Sequence, residues 1–129
     1  MIRAGLLRSA HDVSDGGLSV ALAESCVSGA SGRNAPVLIG AEVQFPADSE
    51  GRLDVAWFGE SQGRVIVSCA PDSVEEIVRV TDELGVSLLR LGETKDSSDL
   101  VIRTGSREDR ISLERLWKPW SSAISSYMD

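Results

Sequence analysis

The sequence predicts an α+β domain, a mixed β-sheet with helices packed on it. Three observations carry this reading. Apolar residues recur at helical spacing in some segments, while short continuous apolar runs fill the segments between them. The order strand, helix, strand, strand, helix, strand, strand, helix departs from strict alternation. At 129 residues, with 42% hydrophobic and 26% charged content, the chain fits a single globular domain over residues 1–129.

Taken in order, Ile2 to Ser9 reads as the tail of a helix or a lead-in, and Ala10 to Val13 as a short strand. A helix follows from Leu18, with Leu18, Ala21, Leu22, Ser25 and Cys26 on one face, and Gly29 and Ser31-Gly32 ending it. Val37 to Val43 reads as a buried strand and Pro46 to Arg52 as a polar loop. Leu53 to Phe58 forms a short helix. Gly59 to Gly63 is a glycine-flanked turn, and Arg64 to Cys69 reads as a central strand because its apolar content is continuous.

Pro71-Asp72-Ser73 opens the clearest helix, with Ser73 and Glu76 spaced for a capping box and Gly85 closing it. Its apolar face is Val74, Ile77, Val78, Thr81 and Leu84. Val86 to Leu91 and Leu100 to Arg103 read as strands of a hairpin joined by the turn Lys95-Asp96-Ser97-Ser98. Ser112 is expected to cap a last helix that buries Leu113, Leu116, Trp117, Trp120 and Ile124. Pro119 predicts a kink there, or two short helices.

Composition excludes several classes. A formal net charge of −7 argues against nucleic acid or an anionic membrane as a partner. No apolar run approaches a membrane span, and the start Met1-Ile2-Arg3-Ala4-Gly5 lacks the pattern of a signal peptide. Cys26 lies on a helical stripe and Cys69 ends an apolar strand-like run, and both read as reduced core residues of a cytoplasmic protein. With one histidine and no Cys-x-x-Cys, a zinc site is not expected.

Two polar runs carry the chemistry. The first, His11-Asp12-Val13-Ser14-Asp15-Gly16-Gly17-Leu18, packs an imidazole, two carboxylates, a hydroxyl and two glycines before a helix start. Glycines let a backbone approach a ligand closely, and the first N–H groups of a helix are unsatisfied donors suited to phosphate. Asp12 offers a hard oxygen ligand for a divalent cation. The plainer alternative is that Asp15 caps the helix and Gly16-Gly17 make a tight turn. The second run is Phe58-Gly59-Glu60-Ser61-Gln62-Gly63-Arg64. Its carboxylate, hydroxyl, amide and guanidinium suit a phosphorylated ligand, or else form a solvated turn with a surface ion pair.

Together the runs resemble a known family. Ala10 to Leu18, continuing Val20-Ala21-Leu22-Ala23-Glu24-Ser25, resembles the last domain of phosphoribosylformylglycinamidine synthase of the large-subunit type. Phe58-Gly59-Glu60-Ser61-Gln62-Gly63-Arg64-Val65-Ile66-Val67-Ser68 is similar to the second signature of that domain, and Leu113 to Trp120 to its terminal Leu-Trp helix. The resemblance covers nearly the whole chain. Aminoimidazole ribonucleotide synthetase is similar in outline but carries a His-Ile-Thr-Gly-Gly-Gly run where this chain has His11 to Gly16. Thiamine-monophosphate kinase shares an Asp-x-Ser-Asp-Gly-Leu pattern but lacks the Glu-Ser-Gln run.

The resemblance implies the fold of the C-terminal domain of aminoimidazole ribonucleotide synthetase. It also implies membership in an enzyme that converts formylglycinamide ribonucleotide to the amidine, using ATP, Mg2+ and ammonia from glutamine. By resemblance Asp12 matches a magnesium-binding carboxylate and Ser14 a residue near the nucleotide. Glu60, Ser61 and Gln62 match a substrate-binding run of the family's first internal copy, which in the second copy serves a structural nucleotide site. Gly16, Gly17 and Arg64 complete the expected nucleotide- or phosphate-binding set.

No catalytic residue is expected in the chain. The family's catalytic histidine and ATP-contacting lysine belong to amino-terminal domains, and His11 reads as a hydrogen-bonded structural group. The implied partners are those amino-terminal synthase domains, a glutaminase subunit and a small accessory subunit. The chain alone is expected to be inactive and to self-associate through an exposed apolar face. The alternatives are a stand-alone nucleotide- or phosphate-binding module and a relative of thiamine-monophosphate kinase.

Overall fold

A computed structural model describes residues 1–27, 37–45 and 52–122. Among the described residues six strands are formed: β1 (Leu7–Asp12), β2 (Gly40–Phe45), β3 (Val65–Cys69), β4 (Gly92–Lys95), β5 (Asp99–Thr104) and β6 (Arg107–Ser112). The α-helices among the described residues are α1 (Gly17–Val27), α2 (Leu53–Phe58), α3 (Val74–Glu83) and α4 (Leu113–Ser122). The α+β class holds, as a mixed four-stranded sheet in the order β4-β2-β5-β6 and a separate antiparallel ribbon of β1 and β3.

In the larger sheet β2 runs parallel to β5 and antiparallel to β4, while β5 and β6 form a hairpin. Side chains alternate across a strand, so Ala41, Val43 and Phe45 of β2 share a face with Leu100 and Ile102 of β5. That face packs on Leu22, Cys26 and Val27 of α1 and Leu113 of α4. The opposite face carries ion pairs instead, with Arg103 bonded to Glu42 at 3.2 Å and to Glu108 at 2.8 Å.

Trp57 fastens α2 to this core. Its indole N–H donates to Thr104 Oγ1 at 3.0 Å, and its ring meets Phe45 edge-on with centroids 6.0 Å apart. The Arg107 guanidinium lies 5.4 Å from the centre of the same ring. A short helix is marginal by itself, so this anchorage fixes where the turn after α2 begins.

Several sequence expectations need correction. Residues Ile2 to Gly5 form a turn, not a helix tail, and the first strand starts at Leu7 because its pairing with β3 reaches Cys69. The second strand is displaced to Gly40–Phe45, where it pairs on both sides. β3 is not central: among the described residues it pairs with β1 alone, and Val65 is 57% exposed. Continuous apolar content did not distinguish a sandwiched strand from one side of a ribbon.

The capping box at Ser73 is not made. Ser73 ends a short 3-10 turn in helical backbone, its hydroxyl caps nothing, and Glu76 binds Arg79 instead. On the apolar face of α3, Ile77 and Thr81 are buried but Val78 and Leu84 are exposed. Val86 to Leu91 form no strand, and β4 begins at Gly92. Nor do β4 and β5 make the expected hairpin, since β2 lies between them.

β6 is a strand that the sequence pattern does not reveal, because Arg107-Glu108-Asp109-Arg110 hides it in charge. Ser112 ends β6, and its hydroxyl makes no hydrogen bond among the described residues. The N–H of Leu113 donates to the Ser98 carbonyl at 2.9 Å. Helix α4 runs through Pro119 as one element, burying Leu113 and half-burying Leu116 and Trp117, while Trp120 is exposed. Gly29, Ser31-Gly32, Ile124 and residues 46–51 of the expected polar loop lie outside the described residues.

Candidate functional site

The two polar runs come together at the junction of β1, α1 and the turn after α2. β1 delivers Asp12 at its end, exposed, and the chain then turns inward at buried Val13. The Val13 N–H donates to the Arg64 carbonyl at 3.0 Å, extending the ribbon by one pair and bringing the end of the second run beside the first. Ser14 and Asp15 are exposed beyond it, and Asp15 makes no side-chain hydrogen bond among the described residues.

Gly16 and Gly17 both adopt left-handed backbone, with φ of 79° and 72°. Such angles strain any residue with a Cβ. At Gly17 space is also decisive. A Cβ there would lie 2.6 Å from the carbonyl carbon of Phe58 and 2.9 Å from the Gly59 oxygen. Glycine therefore lets the start of α1 touch the end of α2. The Gly17 N–H donates to the Ser14 carbonyl at 3.2 Å, closing the turn.

The direct bond between the runs is that of the Gly16 N–H to Glu60 Oε1, at 2.9 Å. An anionic oxygen at the start of a helix satisfies a donor and complements the helix dipole. The helix-start anion foreseen for a ligand is thus supplied by the chain's own second run. The capping role considered for Asp15 is not made, and the carboxylate at this turn is Glu60, 44 positions away from Gly16.

The turn itself is built around Arg64. Its guanidinium donates to the Gly59 carbonyl and, through Nε, to the Ser61 carbonyl at 3.3 Å. Gly63 at φ 77° permits the reversal. Ser61 and Gln62 are exposed at the tip. Two of the five donors of a guanidinium are used in these bonds.

His11 is accounted for by a partner that the sequence did not single out. Its Nε2 lies 2.9 Å from Glu24 Oε2, tying β1 to α1. Their spacing, 13 positions apart, gives no periodic cue. The expected structural role of His11 fits this pairing.

Among the described residues no group of three or more His, Cys, Asp or Glu side chains is gathered to hold a metal ion. Magnesium does not require one, since it is held through one or two carboxylates together with substrate phosphates and water. An exposed carboxylate at a strand end, as Asp12 is, matches that donor set. No helix among the described residues is long and apolar enough to cross a membrane.

Comparison with known proteins gives a consistent picture. The family described as AIR synthase related protein, C-terminal domain, matches residues 1–105. The phosphoribosylformylglycinamidine synthase subunit PurL of Moorella thermoacetica is 35% identical over 128 residues, covering 99% of this chain and 16% of that protein. The PurL subunit of Salinibacter ruber is 46% identical over 93 residues, covering 71% and 11%. That of Anaeromyxobacter dehalogenans is 36% identical over 130 residues, covering 98% and 16%. The chain therefore spans less than a fifth of the length of these relatives.

Proposed function

This chain belongs to the family of AIR synthase related protein C-terminal domains, and from that premise we propose that it works as the C-terminal domain of a phosphoribosylformylglycinamidine synthase. The whole enzyme would be a cytoplasmic, ATP-dependent ligase of purine biosynthesis. It would convert formylglycinamide ribonucleotide to the amidine with ammonia released from glutamine. The observation that carries the reading is the union of the two runs through Gly16 and Glu60.

In this reading the domain binds and orients a nucleotide rather than transforming it. Asp12 holds Mg2+, which neutralises phosphate charge when bound. The hydroxyls of Ser14 and Ser61, the Gln62 amide and the remaining donors of Arg64 meet the phosphorylated ligand. Gly16 and Gly17 shape the turn that brings the two runs together, and Glu60 holds that turn in place. The reacting groups come from the amino-terminal synthase domains, with ammonia from a glutaminase subunit and assembly aided by a small accessory subunit. Neither nucleic acid nor membrane is a partner.

A domain exchange tests this. The chain replaces the matching segment of the Moorella thermoacetica PurL subunit, and turnover of formylglycinamide ribonucleotide is followed with ATP, Mg2+ and ammonia. The exchanged protein is expected to turn over, and the isolated chain is not. A folded but inactive exchange, or turnover by the chain alone, contradicts the proposal.

A further inference from the structure

We propose that Glu24 is a positioning residue for the magnesium site: by holding His11 it sets the direction in which the next residue, Asp12, presents its carboxylate. Glu24 lies outside both polar runs, and the part given to it rests on the nucleotide reading of Asp12.

The ribbon of β1 and β3 has two unlike faces. His11 stands opposite Ile66 and Asp12 opposite Val65. Opposed residues share a face, while consecutive ones alternate. The first pair lies on the inner side, where Ile66 packs against the core and His11 is half-buried. The second pair lies on the outer side, with Asp12 and Val65 both exposed. The Asp12 carboxylate makes no hydrogen bond among the described residues, so its direction follows from the backbone that carries it.

That backbone is held on both sides of Asp12. After it, the Val13 N–H donates to the Arg64 carbonyl at 3.0 Å. Before it, the His11 ring meets Glu24 Oε2 at 2.9 Å. An ionised carboxylate only accepts, so His11 Nε2 is the donor. Among the described residues this is the one side-chain hydrogen bond between the ribbon and α1. α1 in turn is seated on the main sheet through Leu22, Cys26 and Val27. Glu24 therefore ties the strand end that carries Asp12 to the body of the fold. Without this bond Asp12 loses its set direction toward a metal whose other ligands stay in place. Groups that orient a metal ligand are typically worth about tenfold or more in metal affinity.

Isothermal calorimetry of the full chain with ADP, repeated over a series of Mg2+ concentrations, tests this. In Glu24→Leu the Mg2+ concentration that half-saturates ADP binding should rise about tenfold, and excess Mg2+ should restore the parent affinity. Glu24→Gln keeps an acceptor for the His11 N–H and should behave within about twofold of the parent. His11→Ala breaks the same bond from the other side and should match Glu24→Leu. Both partners are half-exposed, so the variants should fold, which circular dichroism checks. Saturable binding whose Mg2+ dependence is unchanged in Glu24→Leu and His11→Ala overturns the proposal and leaves the nucleotide reading standing. So does an ADP affinity lowered equally at every Mg2+ concentration, or Glu24→Gln behaving like Glu24→Leu. No heat from the parent chain overturns both.

Discussion

The Gly16 N–H and the Glu60 carboxylate meet at 2.9 Å, making one unit of two runs that lie 44 positions apart. The bond is charge-assisted and lies in the exposed turn before α1, where such a bond is worth about 0.5–1.5 kcal/mol. Glu60→Ala should lower stability by that amount, and Glu60→Gln by less, because the amide oxygen still accepts. Urea unfolding measures both. Equal stability of all three proteins would show that the bond does not hold the runs together.

Gly17 and Gly63 separate two reasons for glycine. Both have positive φ, but only at Gly17 does a Cβ collide with backbone, since at Gly63 nothing lies within 4 Å. Gly63→Ala should cost about 1–2 kcal/mol for the left-handed backbone. Gly17→Ala should cost more, because α1 must also move away from Phe58 and Gly59. Thermal unfolding ranks the two, and the reverse order would contradict the close approach of α1 to α2.

Local signals in the sequence match the structure where the local chain decides the outcome. Leu53 to Phe58 forms the helix expected of it, and Gly85 closes the helix before it with φ 65°. Pairing was not legible. Val86 to Leu91 is apolar enough for a strand, yet the partner offered by β2 begins opposite Gly92. The charged β6 is a strand because β5 needs an antiparallel neighbour, not because its residues favour one. For the candidate site, residue types were readable, but the bond from Gly16 to Glu60 and that from His11 to Glu24 depend on which elements the fold brings near.

Leu22 and Ile66 are both apolar, but their burial differs. Leu22 is 5% exposed within the main core, whereas Ile66 is half-buried at its margin. Leu22→Ala is expected to cost about 2–5 kcal/mol, and Ile66→Ala distinctly less. Chemical denaturation of the pair checks the placement of β3 outside the main sheet.

Burial pushes the Cys26 thiol from its ordinary 9.0 up to about 11. The unfolded chain releases this proton first as pH rises, so the stabilisation is complete below pH 9 and lost as pH passes through about 11. It amounts to roughly 2–3 kcal/mol. Unfolding free energy should fall across that window, and Cys26→Ala should remove this part of the slope. An identical slope in the variant would contradict the burial of a protonated thiol.

The central claim is that the joined runs bind a magnesium nucleotide through Asp12. Isothermal calorimetry with MgADP, on the parent chain and on Asp12→Ala, tests it most directly. Asp12 is exposed, so the substitution should leave the unfolding midpoint unchanged. The account predicts saturable heat with the parent chain and its loss in Asp12→Ala. No heat with the parent chain, or the same heat from both proteins, would contradict it.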